Sequence, residues 1–183
     1  MRGGHWLRLT DWVQQLAPRR VATLEAIYLT PAAGQPMQRV TSATLGDRGL
    51  VGDRYAVAAG HWQGPDGCAV TLIRAEDLER IERRAGVAVL GGEHRRNLVV
   101  RGLPRGALES GTLVIGPVVL QVVGARPPCG YLERLTQPGM VRALRGRGGA
   151  CARVRTPGPM GVGDIVRWEA VGSGTSAGDG GTN

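Results

Sequence analysis

Glycine and proline interrupt the apolar segments of this chain at short intervals. Of its 183 residues, 30 are Gly and 11 are Pro. The short segments between them are rich in Val, Ile, Leu and Thr, which is typical of β-strands, because a strand needs only a few residues whereas a stable helix needs a longer uninterrupted run. The pattern therefore predicts many short strands joined by turns, with few helices.

The segments can be assigned one by one. Strands are predicted over residues 21–29, 68–73, 97–101, 112–115, 118–123, 152–155 and 163–168. The clearest helix spans Ala75 to Ala85, with acidic residues in its first turn and Gly86 after its last. Shorter helices are predicted to begin at Gly130 and to cover Met140 to Leu144. This order predicts a mainly β (α+β) fold, a barrel or strongly curled mixed sheet with a few short helices, and excludes a doubly wound nucleotide-binding fold, in which strands and helices alternate.

The two ends of the chain differ from its middle. Residues 1–20 look like an N-terminal extension whose apolar residues are spaced for a short amphipathic helix. Residues 172–183 carry no apolar side chain larger than Ala and are predicted to be a disordered tail. Residues 21–171 are expected to form the folded domain. The sequence does not decide whether the N-terminal extension forms a homodimer contact.

Every basic side chain among the 23 counted as Lys or Arg is an arginine. Without Lys the chain cannot hold pyridoxal phosphate as a Schiff base, and it cannot form a phosphate loop of the Walker type. With no Phe, four Trp and three Tyr, it is also a poor candidate for stacking single-stranded nucleic acid. No G-x-S-x-G motif supports a serine hydrolase.

The positive charge is concentrated in one segment. Residues 95–167 hold 12 Arg against three acidic residues, whereas residues 1–94 have a net charge of only +1. Arg95-Arg96 precede Asn97, and a second cluster is interleaved with glycines; it comprises Arg142, Arg145, Arg147, Arg153 and Arg155. Arginine beside glycine suits anion binding, because the guanidinium group grips phosphate or carboxylate while glycine lets backbone N–H groups approach. A solvated basic face is the alternative. No nucleic-acid-binding motif is present, so no specific nucleic-acid partner is expected.

Three cysteines are too few for a disulfide scaffold, so the sequence predicts free thiols and a cytoplasmic protein. No apolar run approaches the roughly 20 residues that span a bilayer, and no membrane association is expected. Cys68 and Cys151 lie in apolar strand patterns and are predicted to be core residues, a reactive thiol being a second interpretation of Cys151. The spacing of Cys129, Cys151 and His94 gives no support to a zinc site.

Cys129 is the candidate functional thiol. Two prolines fix the approach of the chain, and the predicted helix that begins at Gly130 would lower the pKa of the thiol by favouring its anion. Arg126 acts in the same direction. A thiolate is the nucleophile that sulfur transfer needs and the soft ligand that a transition metal needs. A small core residue is the alternative interpretation.

Taken together, these residues resemble the MOSC domain family, named for the C-terminal domain of molybdenum-cofactor sulfurase, in its stand-alone bacterial form. The resemblance covers about residues 21–168. The segments that carry it, in order, are Gly49-Leu50-Val51-Gly52-Asp53-Arg54, Val70-Thr71-Leu72-Ile73, Arg95-Arg96-Asn97-Leu98-Val99-Val100-Arg101-Gly102, Pro128-Cys129, Arg147-Gly148-Gly149 and Gly161-Val162-Gly163-Asp164.

The resemblance implies a barrel-like fold and a molybdenum-pterin cofactor. It maps the family's characteristic cysteine onto Cys129, which would ligate the metal in an oxidoreductase that reduces N-hydroxylated compounds. The phosphate of the pterin would be held by the arginine clusters. The implied cofactor-binding residues are Arg95, Arg96, Asn97, Arg145, Arg147, Arg153, Asp53 and Arg54, with a structural role as the alternative for Asn97 and Asp53.

Two other functions are compatible with the same resemblance. Cys129 could carry a persulfide as a sulfur carrier or sulfurtransferase, or the chain could be a non-enzymatic module that binds the pterin. A reductase would need a separate electron-donor protein, because the chain lacks flavin, haem and iron–sulfur motifs. A sulfur carrier would need a cysteine desulfurase and a sulfur acceptor. Many relatives place a second Cys or an acidic residue where Arg126-Pro127 stand here. This departure from the family pattern argues against a two-thiol mechanism and leaves a single-thiol metal ligand intact.

Overall fold

The computed structural model describes residues 21–58 and 68–170, and these form a closed barrel with helices on its outside. In chain order the elements are β1 (Ala22–Leu29), β2 (Gln38–Val40), β3 (Ser42–Gly46), β4 (Gly49–Leu50), β5 (Val70–Arg74), α1 (Ala75–Ala85), β6 (Leu98–Arg101), a 3-10 turn (Arg105–Leu108), β7 (Gly111–Ile115), β8 (Val118–Ala125), α2 (Gly130–Leu135), α3 (Met140–Leu144), β9 (Ala150–Thr156), β10 (Gly158–Gly161) and β11 (Ile165–Glu169). The mainly β architecture predicted from the sequence is confirmed.

Seven strands close the barrel within the described residues, in the order β11-β7-β8-β9-β5-β6-β1, with β1 returning to β11. β5 and β6 run parallel and the other neighbours run antiparallel, so the sheet is mixed. The parallel pair is joined through α1, as a parallel crossover requires. β2 adds to β1, while β3, β4 and β10 form a separate small sheet.

Two apolar clusters hold these layers together. The larger fills the barrel, with Leu24, Leu72, Leu98, Leu113 and Leu120 fully buried. The smaller packs the three helices on the outside of the sheet; its members include Ile73, Leu78, Ile81, Val99, Leu132, Met140 and Leu144. Burying this surface at roughly 25 cal/mol per Å² is the main driving force for the fold. The loops that connect β8 to α2 and α3 to β9 are thereby fixed against the barrel.

All seven predicted strands and all three predicted helices are present, with ends displaced by at most a few residues. α1 begins and ends where its sequence signals place it, and Gly86 closes it in the left-handed conformation at φ 63°. The short strands β2, β3, β4 and β10 were not predicted. β10 reads Gly158-Pro159-Met160-Gly161, a composition typical of a turn, and it becomes a strand by pairing with β3.

The structure corrects the prediction for two cysteines. Cys68 and Cys151 are joined by a disulfide, with Cα atoms 5.2 Å apart. Thr71 of β5 lies opposite Cys151 of β9, and the segment before β5 brings Cys68 beside the same residue. The expectation of free thiols is therefore wrong for this pair, although Cys151 is buried as predicted. Residues 83 positions apart give no sequence signal of this proximity.

The predicted N-terminal extension (1–20) and C-terminal tail (172–183) lie outside the described residues. Within the part of the chain that the structure describes, no helix has the length and apolar character needed to cross a membrane.

Candidate functional site

The thiol of Cys129 lies on the segment that leads from β8 to α2. Cys129 has extended backbone torsion angles, φ −137° and ψ 164°, and its carbonyl accepts a hydrogen bond from the Glu133 N–H at 3.3 Å. Pro127 and Pro128 precede it and restrict the backbone. The side chain is exposed, and it is the free thiol among the described residues. The sequence therefore presents a fixed thiol at the surface.

Four arginines and two tyrosines surround this thiol in one cleft. The cleft has about 450 Å³ of space, open solvent at its mouth included. Arg54, Arg95, Arg96 and Arg126 are each at most 9% exposed. The lining is Ala33, Gly34, Arg54, Tyr55, Arg95, Arg96, Arg126, Pro127, Cys129, Tyr131 and Leu132. The structure thus brings Cys129, Arg54, Arg95 and Arg96, four of the residues singled out in the sequence, into one site.

Arg96 is the most completely held of the four arginines. Its Nε donates to the Gly148 carbonyl at 2.6 Å, Nη1 donates to the His94 carbonyl at 3.0 Å, and Nη2 donates to the Arg126 carbonyl at 3.2 Å. These acceptors are all neutral. Burial, followed by the positive charge of Arg126, lowers the pKa of Arg96 to about 9. Arg96 therefore fastens the thiol-bearing segment to the barrel while its charge stays uncompensated.

Arg95 projects into the same cleft from an unusual backbone conformation. Its φ of 56° is left-handed, which a non-glycine residue adopts only at a cost. Its Nη1 donates to the Gln35 carbonyl at 2.7 Å, another neutral acceptor. Burial and the neighbouring charge of Arg54 lower the pKa of Arg95. Strain of this kind persists only where surrounding structure maintains it, and it is frequent at functional sites.

Asp53 and Asn97 lie beneath the cleft and hold it in place. Asp53 is 1% exposed and accepts hydrogen bonds from the backbone N–H groups of Thr30 and Tyr55, both at 3.0 Å, and from Asn97 Nδ2 at 3.2 Å. Arg54 Nη1 lies 3.4 Å from the same carboxylate. Asn97 Oδ1 accepts from the Thr71 hydroxyl at 2.8 Å. These contacts are all within the protein, so a direct contact of Asp53 or Asn97 with a ligand stays a prediction.

Tyr55 is a cleft residue that sequence reasoning missed. Its hydroxyl accepts a hydrogen bond from Arg126 Nη2 at 3.1 Å, and the Arg54 guanidinium lies 4.7 Å from the centre of its ring. Cation–π contact of this kind orients a guanidinium without neutralising it. The available signal was position alone, since Tyr55 directly follows the Gly52-Asp53-Arg54 motif.

Two glycines make the anchoring of the thiol segment possible. A Cβ on Gly148 would lie 2.4 Å from the Arg126 carbonyl oxygen, closer than atoms can approach. The Gly149 carbonyl accepts from the Arg126 N–H at 2.8 Å, and Gly149 adopts φ 83°. The Arg147-Gly148-Gly149 motif is thus required by packing as well as by any role in anion binding.

The predicted residues of the second arginine cluster do not join the thiol cleft. Arg145 and Arg147 line a neighbouring cleft, and Arg147 Nη1 donates to Asp77 Oδ1 at 2.7 Å. Arg153 lies on β9 opposite Gln121 and lines neither cleft. The two arginine clusters of the sequence therefore occupy separate surfaces, which meet at Arg126 and Pro127.

The charges of the thiol cleft define what it can bind. Within residues 21–58 and 68–170 Arg54 pairs with Asp53, Arg95 and Arg96 donate to neutral carbonyl groups, and no acidic residue lines the cleft. Several buried cations with so little negative charge favour an anionic ligand. The described residues contain no group of three or more His, Cys, Asp or Glu side chains that could hold a metal ion. Among the described residues, Cys129 is therefore the candidate metal ligand in this cleft, and no such group completes its coordination.

Comparison with known proteins agrees with this reading of the fold. A family model described as the MOSC domain matches residues 59–167. The structure of the YuaD protein from Bacillus subtilis superposes with a TM-score of 0.70 and 19% identity, covering 83% of this chain and 97% of that one. The YiiM structure from Geobacillus stearothermophilus gives 0.65 and 18%, covering 84% and 77%. YiiM from Escherichia coli gives 0.61 and 20%, covering 83% and 72%. No curated protein sequence matches the chain significantly.

Proposed function

The chain belongs to the MOSC domain family, and on that premise we propose that it binds a molybdenum-pterin cofactor and reduces N-hydroxylated compounds. The family is linked to molybdenum-cofactor enzymes. The observation that carries the proposal is the exposed Cys129 thiol beside the buried guanidinium groups of Arg95 and Arg96, which donate to neutral carbonyl groups. A soft ligand and an anion site are thereby combined in one cleft.

The residues present fit such a group. Cys129 would supply the thiolate, which is the ligand type that a soft transition-metal site prefers. Arg54, Arg95 and Arg96 would hold the phosphate that the pterin carries, because their combined charge exceeds that of Asp53. When bound, the cofactor supplies two-electron chemistry coupled to removal of an oxygen atom. Asp53 would act on the cofactor indirectly, by orienting Arg54. Asn97 would act by holding the Asp53 carboxylate in place.

The proposed reaction needs two electrons and two protons for each molecule of substrate. An N-hydroxylated amine takes up both, its N–O bond breaks, and the products are the amine and water. The electrons come from a separate electron-donor protein. Arg126 donates to the Tyr55 oxygen, so the hydroxyl proton of Tyr55 points away from Arg126 and can be donated in the cleft. Tyr55 is therefore the proton donor that we propose.

Metal analysis of the purified protein tests the cofactor directly. Protein produced in a molybdenum-replete host is expected to contain molybdenum, and the Cys129→Ala variant is expected to lose it. Thermal unfolding of both proteins serves as the folding control, since Cys129 is exposed and its truncation should change stability little. Absence of molybdenum from the wild type, or equal contents in the two proteins, would rule the proposal out.

Turnover separates a reductase from a module that only binds the cofactor. With a chemical reductant supplied, the loaded wild-type protein should convert an N-hydroxylated amidine to the amidine. Tyr55→Phe should retain molybdenum and convert substrate more slowly, with a changed pH profile. Tight cofactor binding with no turnover of any N-oxygenated substrate would instead favour the binding module.

A sulfur carrier is the second candidate, and it is favoured by one observation. Cys68 and Cys151 are bonded to each other, so Cys129 is the described thiol that a partner protein can reach. In this reaction the Cys129 thiolate attacks the outer sulfur of a persulfide on a cysteine desulfurase, and the desulfurase thiolate leaves. Intact mass spectrometry after incubation with a desulfurase and cysteine should then show an adduct of about 32 Da on the wild type and none on Cys129→Ala.

The cytoplasmic location stays a prediction. Disulfides persist mainly in oxidising compartments, so the oxidation state of Cys68 and Cys151 in protein taken rapidly from cells bears on it. Thiol-trapping followed by mass spectrometry measures that state.

A further inference from the structure

We propose that the cleft lined by Arg145 and Arg147 is a second anion site, which binds a phosphate or diphosphate group of a small-molecule ligand. The cleft has about 960 Å³ of space, open solvent at its mouth included, against about 450 Å³ for the thiol cleft. It lies against the same segment, and both clefts are lined by Arg126 and Pro127. The proposal of an anion site here does not depend on the proposed function. The further identification of its ligand as the phosphate-bearing end of a pterin nucleotide rests on the proposed function.

The lining of this second cleft carries an excess of positive charge. Five arginines line the cleft with two acidic residues, Asp77 and exposed Glu109, and Glu76 outside the lining pairs with one of them, Arg74, at 3.6 Å. The arginines are Arg74, Arg105, Arg126, Arg145 and Arg147. Phosphate and diphosphate groups carry several oxygen acceptors and more than one negative charge. Such groups can bind several guanidinium groups that converge from different elements.

Asp77 orients three of these arginines without neutralising them. It is 7% exposed, on the first turn of α1. Its Oδ1 is 2.7 Å from Arg147 Nη1 and 3.5 Å from Arg105 Nη2, and its Oδ2 is 3.4 Å from Arg74 Nη1. Arg105 and Arg147 each use a single terminal nitrogen on this carboxylate. Their remaining N–H groups are left for an anion in the cleft.

The glycine loop between α3 and β9 adds further donors. Within the described residues the Arg145 side chain makes no hydrogen bond or ion pair, and it is exposed. The same part of the chain holds no acceptor for the backbone N–H groups of Gly146 and Gly148, although Gly148 is buried. A buried backbone N–H without a partner is rare in folded proteins. Backbone N–H groups of this kind beside arginine are typical of phosphate-binding loops.

The arrangement favours a small anion over an extended polyanion. The donors are collected around one buried carboxylate, whereas a nucleic-acid surface presents arginines along a path longer than one cleft. The thiol cleft has its own anchored arginines, so a ligand with anionic groups on both sides of Arg126 would use both clefts. In that case the second cleft discriminates between a pterin nucleotide and the shorter pterin phosphate.

Calorimetric titration with inorganic pyrophosphate tests the site. The full chain is first alkylated at Cys129 with N-ethylmaleimide, which obstructs the thiol cleft and leaves the second cleft open. We expect saturable binding at one site per chain. Affinity should fall at least tenfold in the Arg145→Gln/Arg147→Gln variant. It should change less than threefold in Arg142→Gln/Arg155→Gln, which removes the same charge from two exposed arginines outside both clefts.

The single variant Arg145→Gln serves as a control for misfolding, because its side chain has no partner among the described residues whose loss would destabilise the fold. Arg147, in contrast, pairs with buried Asp77. Arg145→Gln should weaken pyrophosphate binding at least threefold with an unchanged unfolding midpoint. Absence of saturable binding by the alkylated wild type, equal losses in the two double variants, or binding of a single-stranded oligonucleotide in place of pyrophosphate would overturn the proposal. The molybdenum content of the untreated protein is measured separately from pyrophosphate binding by the alkylated protein, so failure of this site is distinguishable from failure of the proposed function.

Discussion

Substitution of Gly149 by alanine is predicted to lower the free energy of unfolding, because it disrupts the contact between the thiol-bearing segment and the barrel. Gly149 has φ 83°, a conformation that costs an alanine about 1–2 kcal/mol. Its added Cβ would lie 2.0 Å from the Leu72 carbonyl oxygen and 3.2 Å from the Cβ of Ile73. Both partners belong to β5, which pairs with β9 at Leu72 and Ala150. The clash is with backbone, so no side-chain rotation can relieve it.

The magnitude follows from three effects. Besides the torsional cost, forcing apart packed elements costs about 1–3 kcal/mol. Loss of the bond from the Arg126 N–H to the Gly149 carbonyl costs about 1 kcal/mol more. Gly149→Ala should therefore lower the free energy of unfolding by about 3–6 kcal/mol, a large part of the roughly 5–15 kcal/mol that holds a domain together.

Gly146→Ala is the matched control in the same loop. Gly146 also has a positive φ, 69°, but its added Cβ would meet no atom within 4 Å. It should lose only the torsional cost of about 1–2 kcal/mol. The gain from a less flexible unfolded chain is the same in both variants and cancels in the comparison.

Urea unfolding followed by circular dichroism measures both free energies, with the slope of the transition checked for equality among the three proteins. A difference between the two variants of about 2–4 kcal/mol is expected. Equal destabilisation would show that torsional strain alone matters here. A stable Gly149→Ala protein would refute the close approach of this loop to β5.

Three further predictions use other parts of the molecule. Burial lowers the pKa of His94 to about 3, so the unfolded chain takes up a proton below about pH 6.5 that the folded chain refuses. Stability should fall by about 1.4 kcal/mol per pH unit as the pH drops from 6.5 towards 3, and His94→Asn should remove that slope in urea titrations. Reduction of the Cys68–Cys151 disulfide, which links residues 83 positions apart, should lower stability by up to about 4–5 kcal/mol, and the double alanine variant should unfold identically with and without reductant. Asp53→Asn should cost about 3–5 kcal/mol because it breaks a buried ion pair, whereas exposed Asp47→Asn should change the thermal midpoint little.

Sequence signals within a segment predicted those helices and strands whose formation depends mainly on the segment's own residues. α1 carries acidic residues at its start and Gly86 at its end, and each strand of the barrel has an apolar run of its own. β3 and β10 are different, because Ser42–Gly46 and Gly158–Gly161 become strands only by pairing with each other across more than 100 residues. No window of sequence contains both partners, so their composition indicated turns.

The same distinction applies to the site. Cys129, Arg54 and the Arg95-Arg96 pair could be identified because each belongs to a short motif. Their convergence, and the part played by Tyr55, depend on how the loops after β4 and before β6 meet the segment after β8. The division of the arginines into two clefts likewise depends on the path of the segment after β8, where Arg126 lines both clefts, and the charge distribution along the sequence does not reveal that path.

The closure of the barrel has a consequence for how the protein is made. β1 meets β11 through only two residue pairs, Ala22 with Val166 and Thr23 with Ile165, and these join the first strand of the described chain to the last. Contacts so distant in sequence form slowly, since most of the loop entropy must be lost before they are gained. During synthesis β1 cannot pair with β11 until residue 166 has left the ribosome. Until then Leu24 and its apolar neighbours are without their final partner, and chaperone capture of nascent chains should be most frequent in that interval.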